Sequence, residues 1–333
     1  MNSVLNSNAK DFEIVVVDNG SDDDSVIKVQ KKFKNYLDKI TLITLDKNYG
    51  PAKARNIGVK KSSGKFLCFL DNDTEVHPDW FKDPINEFKS NKNTGIIQSK
   101  LLLMSNKKKF DYIGEYIGQN GFLVQRVEAD TFDNAEFDYR ADILAAKSAG
   151  MFIRRDVFEK IGGFDDSYFI YMEETDLGWR SWLSGYKAVF IYSSEVYHEF
   201  GSSSLALGEQ LNNFNAKFHG CKNYIATLVK NLSLFYIFRI LPIHIILWLG
   251  LAWFSLFNRQ FKIFYWIHKA ILWNLVNIGT TLKKRKHIQK TRVISDEELF
   301  DILMVNKPLT YFLGKARDKR KIGNASGFMR NKS

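Results

Sequence analysis

Phe66-Leu67-Cys68-Phe69-Leu70-Asp71-Asn72-Asp73-Thr74 is the stretch on which the reading of this chain turns. An apolar run of this length reads as a strand buried in a sheet, and two carboxylates one residue apart stand at its exit. In an extended segment residues i and i+2 point the same way, so Asp71 and Asp73 converge while Asn72 faces elsewhere. Two hard oxygen ligands at one point suit a divalent cation and, through it, a diphosphate. Asp and Asn are also ordinary turn residues, so the same three letters describe a solvated strand exit. Two further acidic stretches weigh toward chemistry: Asp18-Asn19-Gly20-Ser21 ends the run Ile14-Val15-Val16-Val17, and Glu173-Glu174-Thr175-Asp176 follows Tyr168-Phe169-Ile170-Tyr171-Met172.

Around that strand, periodicity and breakers predict strand 12–17, loop 18–24, helix 25–37, strand 40–45, helix 52–61 stopped by Ser62-Ser63-Gly64, and strand 65–70. Helix 79–90, strand 95–103, an apolar strand 144–154, a short helix from Arg155 ended by Gly162-Gly163, helix 173–184 and strand 187–192 follow. The stretch 105–140 has little periodicity and is assigned to the acceptor side. Strand and helix in alternation predict an α/β fold with a largely parallel sheet flanked by helices. Ligands of such sheets bind beyond the carboxyl ends of the strands, where Asp18 and Asp71 to Asp73 would both lie.

At 333 residues the chain can build a sizeable core. Its two cysteines, Cys68 and Cys221, support neither a disulfide framework nor a zinc cluster. The net charge of +11 fits a nucleic acid, an anionic membrane or a polyanionic substrate. No zinc finger, helix-turn-helix or RNA-binding aromatic motif is present, so nucleic acid is not expected as a partner. Basic residues crowd Lys283-Lys284-Arg285-Lys286, directly after the apolar aromatic stretches Ile240 to Phe257 and Phe261 to Ile278, and again the tail at Lys315, Arg317, Lys319, Arg320 and Lys321. That order suggests an apolar hairpin at 240–278 that associates with the cytoplasmic face of a membrane, peripherally or as an integral segment, although a buried hairpin in a soluble protein shows the same pattern. The expected organisation is a first domain at 1–225 and a C-terminal helical region at 226–333.

Taken together, Asp11 to Ser21, Asn48 to Gly58, Phe69 to Thr74, Gly162 to Arg180 and His198 to Ser203 make the chain resemble family 2 glycosyltransferases of GT-A fold, in particular their rhamnosyltransferase-like members. The resemblance implies an inverting, metal-dependent transferase. Its donor would be a nucleoside diphosphate sugar and its acceptor a surface saccharide or lipid-linked saccharide. Asp18 and Asn19 would contact the nucleotide, with Asp18 accepting a hydrogen bond from the base, and Arg55 would stand near the diphosphate. Asp73 would bind Mg²⁺ or Mn²⁺ directly, Asp71 would support metal and sugar, and His198 would complete the site. Glu174 would be the catalytic base, standing where the family usually carries Asp. Asp176 is the rival base, although two residues along a helix it is turned about 200° away.

Family members open with a strand and helix ahead of the motif that here reads Lys10-Asp11-Phe12-Glu13-Ile14. This chain is expected to begin inside that helix, with the first strand missing, for which an incomplete gene model is the favoured explanation. The rival readings are a truncated, inactive remnant that binds membrane and, on the enzyme side, a sugar nucleotidyltransferase. The latter needs a Gly-rich, basic loop after its first strand, and none is visible.

Overall fold

The computed structural model describes residues 1–36, 38–199, 215–312 and 314. The basic tail from Lys315 and the part of the resemblance at 200–203 lie outside the described residues. After a single helical turn, α1 (Asn2–Leu5), the chain builds a parallel pair, β1 (Ile14–Asp18) and β2 (Ile40–Thr44), joined through α2 (Ser25–Lys32) and forming a two-stranded sheet of its own. Helix α3 (Pro51–Lys61) opens with a proline in its first turn, where the missing N–H costs nothing. Gly50 before it has φ +81°, and a Cβ there would lie 2.3 Å from the Phe169 carbonyl oxygen, so the loop admits only glycine at that position.

Among the described residues the main sheet has seven strands. Its central path runs β3 (Phe66–Phe69), β10 (Met151–Arg154), β5 (Thr94–Leu103), β11 (Lys187–His198) and β4 (Thr74–Val76), with β6 (Asn106–Tyr112) on β5 and β9 (Ala141–Ile143) on β11. A small hairpin, β7 (Glu115–Ile117) with β8 (Leu123–Gln125), stands apart. β11 runs parallel to β5, but β10 is antiparallel to both its neighbours and β4 is antiparallel to β11. The sheet is therefore mixed, which corrects the expectation of a largely parallel one. The expected strand 144–154 also divides: β9 ends at Ile143, a 3₁₀ turn covers Ser148–Gly150, and β10 starts at Met151.

Helices α4 (Lys82–Ser90), α5 (Arg155–Lys160) and α6 (Glu173–Leu183) pack on this sheet, and α7 (Ala216–Asn231), α8 (Leu234–Phe257), α9 (Phe261–Val276), α10 (Ile278–Thr291) and α11 (Asp296–Leu303) follow. One hydrophobic core joins the two groups, since Ile96, Ile143, Trp179 and Phe190 pack in the same cluster as Leu228, Ile240, Ile288 and Leu303. The expected boundary between residues 225 and 226 falls inside α7. Trp179 and Trp182 are core residues, and the Trp182 indole N–H donates to the Ile143 carbonyl at 2.8 Å.

Helix α6 comes unusually close to the 144–145 segment. A Cβ on Gly178 would lie 2.5 Å from the Leu144 carbonyl oxygen and 2.6 Å from the Ala145 Cβ. Gly178→Val therefore forces the helix off its seat. It is expected to cost about 1–3 kcal/mol in urea unfolding, and an unchanged midpoint would contradict this close packing.

Candidate active site

Strand register builds the first half of the site. The antiparallel pairing of β4 with β11 sets His198 opposite Thr74, and the Glu199 N–H donates to the Asp73 carbonyl at 3.0 Å. Residues 125 apart in sequence thus become neighbours, and ligand atoms of Asp71, Asp73 and His198 all lie within 4.8 Å of one another. The imidazole faces a carboxylate on each side: Nε2 is 3.4 Å from Asp73 Oδ1, and Nδ1 is 2.7 Å from Asp111 Oδ2. Burial works to lower the His198 pKa, but the hydrogen bonds to Asp111 and Asp73 prevail and raise it to about 10.

Asp111 went unnoticed at the level of sequence. It occupies a bulge in β6, where Tyr112 pairs with Leu101 and Phe110 with Leu102, leaving the residue between them to be re-aimed. A lone acid within Phe110-Asp111-Tyr112-Ile113 was the available signal, since a carboxylate in so apolar a run needs a partner. Two carboxylates and an imidazole that would give up its Nε2 proton to the incoming cation make a donor set that fits Mg²⁺ or Mn²⁺, and a carboxylate on the far ring nitrogen is the usual support behind a ligating histidine.

Arg55 on α3 connects this group to the second half. One guanidinium nitrogen is 3.0 Å from Asp71 Oδ1, and the other is 3.3 Å from Glu173 Oε1 and 3.8 Å from Glu174 Oε1. Both glutamates open helix α6, where the helix N-terminus favours negative charge. The turn that feeds the helix is strained: Tyr171 and Met172 have φ of +68° and +69°, and the buried Asn223 amide of α7 holds it by donating to the Ile170 and Tyr171 carbonyls at 2.9 and 2.8 Å.

The acids of this helix have different environments. Side-chain exposure is 5% for Glu173, 23% for Glu174 and 0% for Asp176. Burial, followed by the neighbouring Glu174 charge, holds the Glu173 carboxyl above the usual carboxylate range in spite of Arg55. Glu174 Oε1 accepts from the Ser148 N–H at 2.6 Å and also from its hydroxyl, so the 3₁₀ turn found in place of a continuous strand fixes its direction. Thr175 turns inward and donates to Glu115, whose carboxyl burial pushes up to about 7.

Asp176 stands apart from the other candidates. Arg180 Nε is 2.8 Å from one of its oxygens, while the Asn231 amide and Lys230 Nζ each lie 2.9 Å from the other. Lys230 continues to Asp165 at 2.6 Å, giving a buried ion network between α6, α7 and the 161–165 loop. This geometry is at odds with Asp176 as a base, because a fully enclosed carboxylate with both oxygens engaged by cations and an amide cannot meet a substrate hydroxyl.

Asp18 ends β1 and accepts from the Ser21 N–H at 3.2 Å. Asn19 ties two strand ends together, donating to Asn48 Oδ1 at 2.9 Å and accepting from the Tyr49 N–H at 3.0 Å. Asp71 and Asp73 beyond β3, His198 at the end of β11, Arg55 on α3 and the two glutamates at the start of α6 thus form one connected group, while Asp18 and Asn19 stand at the carboxyl end of β1 in the separate two-stranded sheet.

Residues 1–162, just under half of the chain, match the family described as Glycosyl transferase family 2. It is 28% identical over 184 residues to glycosyltransferase AglE of Haloferax volcanii, covering 54% of each chain. The chain thus spans about half the length of that relative. It is 43% identical over 54 residues to an N-acetylglucosaminyl-diphospho-decaprenol L-rhamnosyltransferase of Mycobacterium tuberculosis, covering 16% of this chain and 18% of the relative. The solved structure of GalNAc-T7 with UDP, GalNAc and Mn2+ superposes with a TM-score of 0.55 at 16% identity, covering 70% of this chain and 45% of the other. That likeness is one of fold, and the α/β architecture is GT-A-like.

Proposed function

We propose that this chain is an inverting, metal-dependent glycosyltransferase that moves a sugar from a nucleoside diphosphate to a saccharide or lipid-linked saccharide at the cytoplasmic face of a membrane. The observation that carries the reading is Arg55, which joins a group suited to binding diphosphate and metal to a partly exposed, firmly aimed glutamate. Asp18 contacts the nucleotide base, and Asn19 orders the loop around it. Arg55 pairs with the diphosphate in a forked geometry. Asp71, Asp73 and His198 hold the divalent cation, which when bound offsets negative charge on the departing diphosphate.

Glu174 takes the proton from the acceptor hydroxyl. The freed oxygen lone pair forms the new bond to the anomeric carbon as the bond to the phosphate oxygen breaks on the opposite face. The bonding pair leaves with the diphosphate, the proton stays on Glu174, and the anomeric configuration inverts. Glu173 remains with Arg55 as a positioning residue, and Asp176 serves the fold.

The test is calorimetric binding of a panel of nucleoside diphosphate sugars, with Mn²⁺ or with chelator, followed by product analysis. The parent chain is expected to bind one donor class only with metal. Asp73→Ala should weaken metal affinity by more than about 100-fold, beyond the effect of losing a residue that merely orients a ligand. Donor binding by Asp73→Ala with the parent's metal dependence would overturn the assignment.

A further inference from the structure

Helix α8 is the one helix among the described residues long and apolar enough to cross a bilayer, at about 36 Å for 24 residues. Its packing leaves only one side available. Ile240, His244, Trp248, Ala252 and Ser255 form a buried stripe along most of its length. His244 Nδ1 is 3.0 Å from the Asn120 carbonyl, the Trp248 indole N–H donates to His244 Nε2 at 3.0 Å, and the Phe122 ring lies 4.1 Å from the His244 ring. Near its start, the Ser233 N–H donates to Asp296 Oδ2 at 2.6 Å. The helix is therefore seated lengthwise on the body that carries the candidate site, whose polar residues have no place in hydrocarbon.

The opposite side is bare and apolar. Phe235, Phe238, Ile246, Trp253 and Phe257 of α8 and Phe261 of α9 are 50% to 82% exposed. A contiguous patch of this kind marks an interaction surface, because soluble chains rarely leave one uncovered. Its charge identifies the occupant. From residue 210 to residue 295 the sequence holds 13 lysines and arginines and no aspartate or glutamate. Arg239, Arg259 and Lys262 stand exposed among the aromatic residues of the bare face. Aromatic residues interleaved with unopposed basic ones complement an anionic lipid surface.

We infer that α8 and α9 dock on an anionic phospholipid bilayer lengthwise, with the outer face of α8 sunk among the headgroups and the helix not crossing. This deepens the membrane part of the proposed function and is independent of the transferase chemistry. Docking in this way holds the protein body at the surface, where a lipid-linked acceptor would be met.

The test is flotation of the full chain with vesicles of phosphatidylcholine alone or mixed with phosphatidylglycerol. Binding is expected only to the anionic vesicles, to weaken with salt and to reverse in alkaline carbonate. Phe238→Asp and Phe257→Asp should each lower partitioning by about tenfold or more. Arg259→Glu and Lys262→Glu should lower it by about fivefold each, with circular dichroism and donor binding unchanged. In a Cys68→Ser background, Arg239→Cys and Arg259→Cys should both react with an impermeant maleimide added outside the vesicles. Protection of one of the two, or resistance to carbonate, would show a crossing helix and overturn the inference. So would failure to float, whether the chain pairs with itself or captures another protein. Loss of sugar transfer with flotation intact counts against the transferase reading alone.

Discussion

Glu174→Gln is expected to bind the nucleotide donor as the parent chain does and to transfer sugar about 10²–10⁴-fold more slowly, the range associated with loss of a positioned base. The substitution keeps the side chain's volume and leaves an amide oxygen to accept from Ser148, so the turn that aims residue 174 is undisturbed. What it removes is a basic oxygen on the only acid of the three that is partly exposed. Glu173→Gln is a useful contrast, because its main partner is Arg55 at 3.3 Å, so its loss should act through Arg55 and disturb donor affinity before turnover. The measurement is kcat and donor Kd for both variants under one assay. If Glu174→Gln retains the parent's kcat, proton removal is done by another group and the assignment fails.

These contrasting environments were only partly visible in the sequence. Acids at the ends of apolar runs located Asp18, Asp71 and Asp73, because a buried strand that opens into a carboxylate pair is a local signal. His198 could be joined to them only through resemblance, since the contact depends on the β4–β11 register. Asp111 and Ser148 stayed hidden for a related reason. A β-bulge and a 3₁₀ turn each redirect one side chain, and neither interrupts the hydrophobic pattern enough to be read. Direction within the sheet was also out of reach: an apolar strand has the same composition whichever way it runs, so β10 looked compatible with a parallel sheet until its pairing showed it reversed. Helical geometry did separate Glu174 from Asp176, but not what Asp176 faces, because Lys230 and Asn231 arrive from α7, more than fifty residues later.

That distant pairing leads to the largest effect expected on stability. Asp176→Ala should destabilise the chain by about 3–5 kcal/mol, the usual consequence of breaking a buried ion pair from one side. Arg180 and Lys230 would keep their charges in a fully buried setting, with Asp165 left to balance Lys230 and only carbonyl oxygens left for Arg180. Burial alone would raise the Asp176 pKa, but Lys230 and Arg180 reverse the sign and hold it below the ordinary carboxylate value. A depressed folded-state pKa means that the network stabilises above the unfolded pKa, near 4, and is lost as pH falls through the lower folded value. Asp165 is depressed in the same direction, mainly by Lys230 and Lys284 acting against burial. The parent should therefore keep this stabilisation at neutral pH and give it up only in strong acid, while Asp176→Ala should start from a lower plateau with a shallower acid limb. Urea unfolding at neutral and at acid pH measures both quantities. A variant that unfolds with the parent but fails to transfer sugar would return Asp176 to the chemistry, whereas one that loses stability first places it in the framework that holds α6, and with it Glu174, against α7.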